Sequence, residues 1–447
     1  MRKIIDTIKN IWKIEDLRTR ILVTLGFIAI YRLGCQISLP GVDVAAIYDL
    51  IDARAASGER GLTDLLNMFT GGAFSKVSIM MLGIMPYISA SIVIQLLGMA
   101  IPYFQKLQRE GESGRKKINQ LTRYLTIVIC FFQSIGTLNM QVVGPGLGPG
   151  FSEDPFWFSS AIIILITGTM FVMWLGEKIT DRGIGNGISL LIMIGIIASL
   201  PLALLQELKL GLDSQQGGLI MFLLEIVVLI LVIGLSILLV QGTRRIPVQY
   251  AKRIIGNKQY GGVRQFIPLK VNAAGVMPII FAQAVMFLPG TLLSWAEVSG
   301  GLAGALMDWK GWEYNTLFFF MVVIFTYFYT AITVNPKQMA DDMKKNGGFI
   351  PGIKPGRKTF EYLDNIMSKI TFPGSLFLGF VAILPAFAMR AGVQDQFALF
   401  FGGTSLLIMV GVVLDTLQQI ESHLLMRHYD GLMDKGKIKG KSSGSMM

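Results

Sequence analysis

Long apolar runs, separated by polar connections, dominate the pattern along the chain. Ten of them, called spans 1 to 10, are about as long as the roughly 20 apolar residues that cross a bilayer core. They are Ile21–Leu39, Val77–Ile101, Tyr124–Val142, Phe156–Leu175, Ile184–Leu205, Leu219–Val240, Ala273–Trp295, Thr316–Val334, Ile370–Met389 and Phe397–Leu417. Because backbone amides in lipid need partners within the segment, each run is predicted to be a helix. The pattern predicts an all-α membrane protein with ten transmembrane helices.

The composition supports a membrane class. Of the 447 residues, 52% are hydrophobic and only 15% are charged, against about 25% charged in soluble domains. Only three charged residues, Arg32, Glu225 and Asp415, fall inside the spans. Each lies near a span end, so we expect it to reach the membrane surface or to cap its helix rather than to serve transport chemistry.

Basic residues indicate the orientation. Of the 40 Lys and Arg residues, 33 lie on one side of the predicted spans, which the positive-inside rule makes cytoplasmic, together with both termini. The net charge of +11 therefore concentrates on that face. It either sets topology alone or also docks an acidic partner, such as RNA or an acidic protein, on the long loops after spans 6 and 8.

Catalytic and metal-binding chemistry is not indicated. The two cysteines form no cluster, and both histidines lie in the last 25 residues. The chain contains neither a phosphate-binding GxxxxGK[ST] motif nor HExxH. We predict no catalytic residue, no metal site and no cofactor, and therefore a protein that is not an enzyme.

A short amphipathic segment precedes span 2. In Gly61–Ser75, Leu62, Leu65, Leu66 and Phe69 have helical spacing and are followed by Gly71–Gly72. The segment is too short to cross a membrane. A half-inserted helix on a glycine hinge would need a surrounding cavity, and the alternative is an amphipathic turn at the surface.

Two apolar segments carry paired isoleucines. In span 2, Pro86 is predicted to bend the helix between Ile84 and Ile88. Between spans 4 and 5, three glycines (Gly183, Gly185 and Gly187) predict a tight turn just before Ile188 and Ile192. Taken alone, isoleucines four residues apart indicate only a lipid-facing or core position.

These two strings, Ser78–Leu96 and Met173–Ile192, resemble the signature motifs of the SecY family, the central subunit of the bacterial protein-translocation channel. The resemblance extends over essentially the whole chain. It includes FTGGAFS (Phe69–Ser75), GESGRKKINQLTRY (Gly111–Tyr124), FQSIG (Phe132–Gly136), PLKVNAAGVMP (Pro268–Pro278), NPKQMADDMKKNGGFIPGIKPG (Asn335–Gly356) and FGGTSLLI (Phe401–Ile408).

The resemblance implies two pseudo-symmetric five-helix halves around an hourglass pore. The implied parts are an N-terminal segment (1–20), a first half (21–205) with a plug (61–75), a hinge loop (206–218), a second half (219–417) and a tail (418–447). It implies a pore ring of Ile84, Ile88, Ile188, Ile192, Ile280 and Ile408, and a plug with Leu62, Leu65, Leu66, Met68, Phe69, Gly71 and Gly72. The implied lateral gate contains Ser91, Gln95, Gln133 and Asn272.

The resemblance also implies partners. The docking loops (241–270 and 335–369) would bind the SecA ATPase or the ribosome through Arg244, Arg245, Lys252, Arg253, Lys344, Lys345, Lys354 and Arg357. Lys354 departs from the arginine common in the family, which keeps the charge and loses the bidentate fork. Expected partners are the membrane subunits SecE and SecG, signal peptides, preproteins and membrane lipid of the bacterial inner membrane. A ten-helix secondary active transporter remains the alternative.

Overall fold

The structure is a computed structural model, and it describes residues 12, 14–49, 67–142, 155–213, 218–250, 253–255, 258–260, 264–283, 285–286 and 311–435. Within these ranges, seven helices are long and apolar enough to cross a membrane, and a bent pair, Met85–Gly98 with Pro102–Gln108, makes an eighth. Spans 1 and 7 account for the other two of the ten predictions. The helix of span 1 has Glu15, Asp16 and Arg32 at its ends, and span 7 is helical over 277–283 and 285–286.

The described elements follow the predicted spans. In chain order they are α1 (Glu15–Gly34), α2 (Met85–Ala100), α3 (Pro102–Arg109), α4 (Glu112–Gln141), α5 (Pro155–Arg182), α6 (Gly187–Asp213), α7 (Gly218–Gln241), β1 (Thr243–Tyr250), β2 (Arg253–Ile255), β3 (Lys258–Tyr260), β4 (Arg264–Lys270), α8 (Trp312–Thr333), α9 (Pro336–Lys345), β5 (Gly348–Phe349), α10 (Arg357–Arg390), α11 (Asp395–Ala398) and α12 (Gly403–Lys435).

The chain forms two compact units. The first contains Met1–Ser57, Leu66–Gly195 and Val412–Met447, and the second contains Gly58–Leu65 and Ile196–Gly411. In the first unit α4 packs against α2 and α5, and α1 packs against α5; in the second, α8 packs against α10.

Span 2 is only partly helical, which corrects one prediction. Its helix, α2, begins at Met85 rather than at Val77, so Pro86 stands in the first turn. Proline is well tolerated there, because the first backbone amides of a helix have no partner within it. The carbonyl of Ile84 accepts the first helical bond, from the amide of Ile88 at 3.1 Å. Pro86 therefore starts the helix and does not bend it.

The residues before α2 form a buried, non-helical segment, Ala73–Ile84, which we call the anchor segment. Backbone bonds join it to the chain after α1: the amide of Leu39 donates to the carbonyl of Val77, and the amide of Ile79 donates to the carbonyl of Ile37, both at 2.9 Å. Val77 is fully buried and has a φ of 45°, a conformation that a β-branched residue adopts only where its surroundings enforce it.

The anchor segment also supplies part of an apolar core. Phe74, Val77 and Met81 pack in one cluster with Cys130 of α4 and Leu165 of α5. Packing and backbone bonds together fix the anchor segment in the first unit.

A small sheet was missed by the sequence reasoning. The loops after spans 6 and 8 contribute to one three-stranded antiparallel sheet in the order β4-β1-β5, in which Ile246 pairs with Ile267 and Tyr250 pairs with Gly348. The alternation around Ile246 and Val248, both buried, is the period-two signal of a strand. Strands β2 and β3 form a separate two-stranded sheet.

Candidate functional site

The first four predicted ring residues lie at the starts of α2 and α6. Ile84 and Ile192 are 5% and 6% exposed, and Ile88 and Ile188 are half-buried. The side-chain oxygen of Asn186 accepts hydrogen bonds from the amides of Ile188 and Ser189. This cap fixes where α6 begins and so where its two isoleucines lie.

The predicted turn before α6 is confirmed. Gly185 has a φ of 82°, and its amide donates to Oε1 of Gln419 in α12 at 2.8 Å. Gly187 lies so close to the carbonyl of Gly176 in α5 that a Cβ atom there would overlap it. The glycines therefore let α5 and α6 approach each other closely at the turn.

The two remaining ring residues belong to the second unit. Ile280 lies in the described part of span 7 and is half-buried, while Ile408 of α12 is 5% exposed.

The predicted plug is described from Asn67 onward, and Leu62, Leu65 and Leu66 lie outside the described residues. Met68 is buried and Phe69 is half-buried. Asn67 closes the following turn, because its carbonyl accepts from the amide of Gly72 at 2.9 Å and its side chain accepts from the amide of Ser75 at 3.1 Å. The glycine pair is thus part of an ordered turn.

The predicted gate residues are placed on two helices and one turn. Nε2 of Gln95 donates to Oγ of Ser91 at 3.3 Å within α2, and Gln133 is half-buried on α4, which packs against α2. In the second unit Asn272 is 8% exposed, and its buried side-chain oxygen has no hydrogen-bond partner among the residues that the structure describes. Leaving a buried amide oxygen unpaired is costly, so this position is unusual for a helix-packing residue.

The two predicted docking loops share one apolar core in the second unit. Ile246 and Val248 of β1 pack with Met343 of α9, Ile350 and Leu363. We call this body, made of Thr243–Tyr250, Arg264–Lys270 and Pro336–Leu363, the platform. The side chain of Asn335 accepts from the amide of Gln338 at 3.2 Å and begins α9, which fixes the second loop on the first.

The predicted docking charges lie on the outside of the platform. Those whose side chains are described are all exposed: Arg244, Arg245, Lys344, Lys345, Lys354 and Arg357. Lys252 lies outside the described residues, and Arg253 is described only as part of β2. Nε of Arg357 donates to Glu361 at 3.1 Å. The platform therefore presents basic groups on a rigid support, and such a surface attracts acidic partners.

Two charged residues differ from the sequence prediction. Glu225 of α7 does not reach the surface: it is 6% exposed and faces Glu207 of α6, which accepts from the amide of Gln394 at 3.1 Å. Arg32 of α1 also turns inward, and its Nη1 donates to the carbonyl of Gly71 at 2.8 Å. Asp415 is exposed. Spacing along the chain gives no signal for these two inward contacts, because both partners are distant in sequence.

Comparison with known proteins gives consistent matches. A family model described as SecY matches residues 78–417. The protein translocase subunit SecY of Streptomyces coelicolor is 44% identical over 434 residues, covering 94% of this chain and 98% of that protein. Among solved structures, a SecY protein has a TM-score of 0.60 at 20% identity, covering 94% of this chain and 95% of that one. The plug domain of that protein is described as stabilising the closed state of the translocation channel and maintaining a membrane seal. Sec61 in the canine ribosome-channel complex has a TM-score of 0.58 at 17% identity, with the same coverage.

Proposed function

The chain belongs to the SecY family and is a protein-conducting channel subunit of the protein translocase, and we propose how its residues divide that work. The observation that carries the proposal is the broken second span, in which the non-helical anchor segment is buried inside the first unit. Backbone of this kind is stable at membrane depth only where protein or a cavity surrounds it. Membership of the family decides against the secondary transporter.

The pore is sealed by a ring of six isoleucines. Four of them lie at or just after the ordered starts of α2 and α6, which supports fixed positions for their side chains. A neck of β-branched side chains excludes water and ions and makes no directional bond. A translocating chain of any sequence could then pass through it.

The plug closes the pore from one side. Gly61–Ser75 contains the apolar helical spacing expected of a segment that fills a funnel, and its described end forms an ordered turn on Gly71 and Gly72. The membrane seal reported for the related SecY protein supports this role.

The lateral gate uses amide and hydroxyl groups. Ser91, Gln95 and Gln133 lie on the packed pair α2 and α4, and the side-chain oxygen of Asn272 is unpaired within the described part of the chain. Polar groups between membrane helices hold them together by a few modest hydrogen bonds. An apolar signal peptide can therefore part them and release a transmembrane segment into lipid.

The platform binds the partner that drives translocation, which is the ribosome or the SecA ATPase. Its basic face suits the acidic surface of ribosomal RNA or of the SecA ATPase, and the related Sec61 is found in a ribosome-channel complex. SecE and SecG complete the complex in the bacterial inner membrane. The bias of basic residues supports a cytoplasmic position for the platform and for both termini.

The orientation has a direct test. Cysteines introduced at Gly148 and Asp213 should react with an impermeant thiol reagent added outside cells, and cysteines at Ser113 and Gly347 should not. The opposite pattern would reverse the assignment.

The channel function is tested by reconstitution. The purified chain with SecE and SecG, in proteoliposomes supplied with SecA and ATP, should take up an unfolded preprotein to a protease-protected position. Vesicles without the chain are the control. Uptake of small solutes without protected preprotein would contradict the proposal.

A further inference from the structure

Three side chains of the α1 end hold the turn at the plug's base. We call this turn, Thr70–Gly72, the hinge turn. Oη of Tyr31 donates to the carbonyl of Thr70 at 3.4 Å, Sγ of Cys35 approaches the same oxygen at 3.8 Å, and Nη1 of Arg32 donates to the carbonyl of Gly71 at 2.8 Å. Neither the pore ring nor the platform uses these residues.

Arg32 makes the strongest of these contacts. It is a charge-assisted hydrogen bond, and such bonds are roughly twice as strong as neutral ones. Arg32 lies in the last turn of α1, where a positive charge also faces the negative end of the helix dipole. Among the ion pairs of the described residues, none involves Arg32, so the guanidinium is directed to the hinge turn.

On its other side, the hinge turn lies against the backbone of α6. A Cβ atom on Gly71 would be 2.5 Å from Nη1 of Arg32 and 2.9 Å from Cα of Gly195, and one on Gly195 would be 2.7 Å from the carbonyl oxygen of Phe69. Gly71 also has a φ of 65°. Gly195 is three residues after Ile192, on the same face of α6. The hinge turn thus lies between the arginine and the helix that carries a ring isoleucine.

The two sides of the glycine pair are fastened differently. After Gly72, the anchor segment is held by an apolar core and by backbone bonds to the chain after α1. At the hinge turn, Tyr31 and Arg32 of α1 supply side-chain donors, and the hydroxyl of Thr70 accepts from the amide of Phe74 at 3.2 Å. Loss of the bonds from α1 would therefore loosen the turn, while the apolar core still holds the anchor segment.

We propose that Arg32, assisted by Tyr31, is the latch that holds the plug closed. The inference rests on the proposed plug function. Opening then requires the Gly71 carbonyl to exchange Arg32 for another partner, and the ease of that exchange sets how readily a resting channel opens. Arg32 is a positioning residue, because it acts on the pore through the plug.

The first test is ion conductance of the complete resting channel, with its partner subunits, in a planar bilayer without a translocating peptide. Arg32→Gln should raise the frequency of open events about tenfold, the ratio expected from losing one charge-assisted bond. Tyr31→Phe removes a single hydroxyl and should raise it about twofold to threefold. Lys76→Gln is the matched control, since Lys76 contacts Gln36 rather than the hinge turn. Loss of this lysine should leave the frequency of open events unchanged.

A second arm separates the latch from the plug. The same variants are made in a channel that lacks residues 61–69. If the latch acts through the plug, Arg32→Gln adds no leak to the deleted channel. The proposal would be overturned if Arg32→Gln added the same ion leak to the intact channel and to the deleted channel. It would also be overturned if Arg32→Gln added no leak to the intact channel. If deletion itself causes no leak, the plug function fails, whatever Arg32 does.

Folding is controlled by the yield of the assembled complex and its unfolding temperature. Should Arg32→Gln fail to assemble, Tyr31→Phe becomes the deciding variant. It keeps the size and the apolar contacts of the aromatic side chain and removes only the hydroxyl. An unchanged open frequency in that assembled variant would then contradict the proposal.

Discussion

The hinge turn and the platform are both glycine-rich connections outside the long helices, and they are stabilised in opposite ways. The platform has its own core, built from β1, α9 and the start of α10. Among the described residues, the hinge turn is held by donors from α1, by a bond from the amide of Phe74 and by the close backbone of α6. A connection with its own core keeps its shape when its partners change, whereas one held from outside changes when its holders do.

This difference matches what each region is proposed to do. A docking surface must be formed before its partner arrives, because ordering it on binding would weaken the affinity. A plug must leave and return, so its closed position should depend on a few separable bonds. A change in one region should therefore leave the property that depends on the other unaltered.

The largest effect is expected from charging the core of the platform. Val248 is fully buried in β1, and Val248→Asp would place a carboxylate in an apolar core, where an unpaired charge is very costly. SecA binding to the reconstituted channel should fall by more than about tenfold, the equivalent of 1.4 kcal/mol, while the resting ion leak stays at the parent level.

Thr243→Asn is the control for this change, because Thr243 is exposed on the same strand and should tolerate a polar side chain that adds no charge to the docking face. Binding by Val248→Asp within twofold of the parent would show that docking does not depend on the shared core. A raised leak would show that the two regions are not independent.

A large effect on the closed state of the channel is expected from hydrating the pore ring. Serine at four ring positions of the first unit, Ile84, Ile88, Ile188 and Ile192, should raise the resting conductance about tenfold, because hydrating an apolar neck is the barrier to ions. SecA binding should not change. Planar-bilayer recording measures the leak.

The ring test has lipid-facing controls. Ile163 and Ile230 are each 64% exposed. The neighbouring Ile162 is buried, so it is not a suitable lipid-facing control. Ile163→Ser and Ile230→Ser should leave the conductance at the parent level. A leak that is equal in ring and control variants would refute the ring assignment.

The sequence predicted the long helices well because lipid leaves the backbone few choices. Spans 6 and 8 became α7 and α8 with small shifts at their ends, and span 4 became α5, which continues to Arg182 rather than ending at Leu175. The turn at Gly185 followed from the glycine spacing. These features depend on neighbours along the chain, so their signal is local.

The features that were missed depend on distant neighbours. Hydropathy alone predicted helix over 77–84, but packing against α4 and α5 and pairing with 37–39 hold those residues in another conformation. Arg32 and Glu225 were expected at the surface because nothing in their own spans indicates Gly71 or Glu207 as partners. The strands of the platform did carry a local signal, the alternation at Ile246 and Val248, which the search for long apolar runs passed over.

A moderate effect is expected from reversing single charges on the platform. Arg244 and Lys354 are exposed, so Arg244→Glu or Lys354→Glu should preserve the fold and weaken SecA binding about fivefold, mainly through slower association. The loss should shrink in high salt, since salt screens exposed charges. Titration at two salt concentrations measures both.

Lys209→Glu is the control for charge reversal. Lys209 is exposed near the end of α6, away from the platform sequence, and its reversal should not alter binding. Normal binding and normal export in both platform variants would mean that their charge serves topology alone.

The smallest effect is expected from restoring the arginine common in the family. The carbonyl of Lys354 accepts from Oγ1 of Thr359 at 3.0 Å, so the backbone is fixed and Lys354→Arg changes only the exposed head group. A guanidinium can form two parallel bonds to a carboxylate or phosphate where an ammonium acts as a point charge. Affinity for SecA or the ribosome should therefore rise about twofold to threefold, as expected for one added solvent-exposed bond. Lys358→Arg, also exposed on the platform, should change the affinity little. An equal rise in both variants would indicate a general effect of arginine, and no rise in Lys354→Arg would show that this position contributes charge without bidentate geometry.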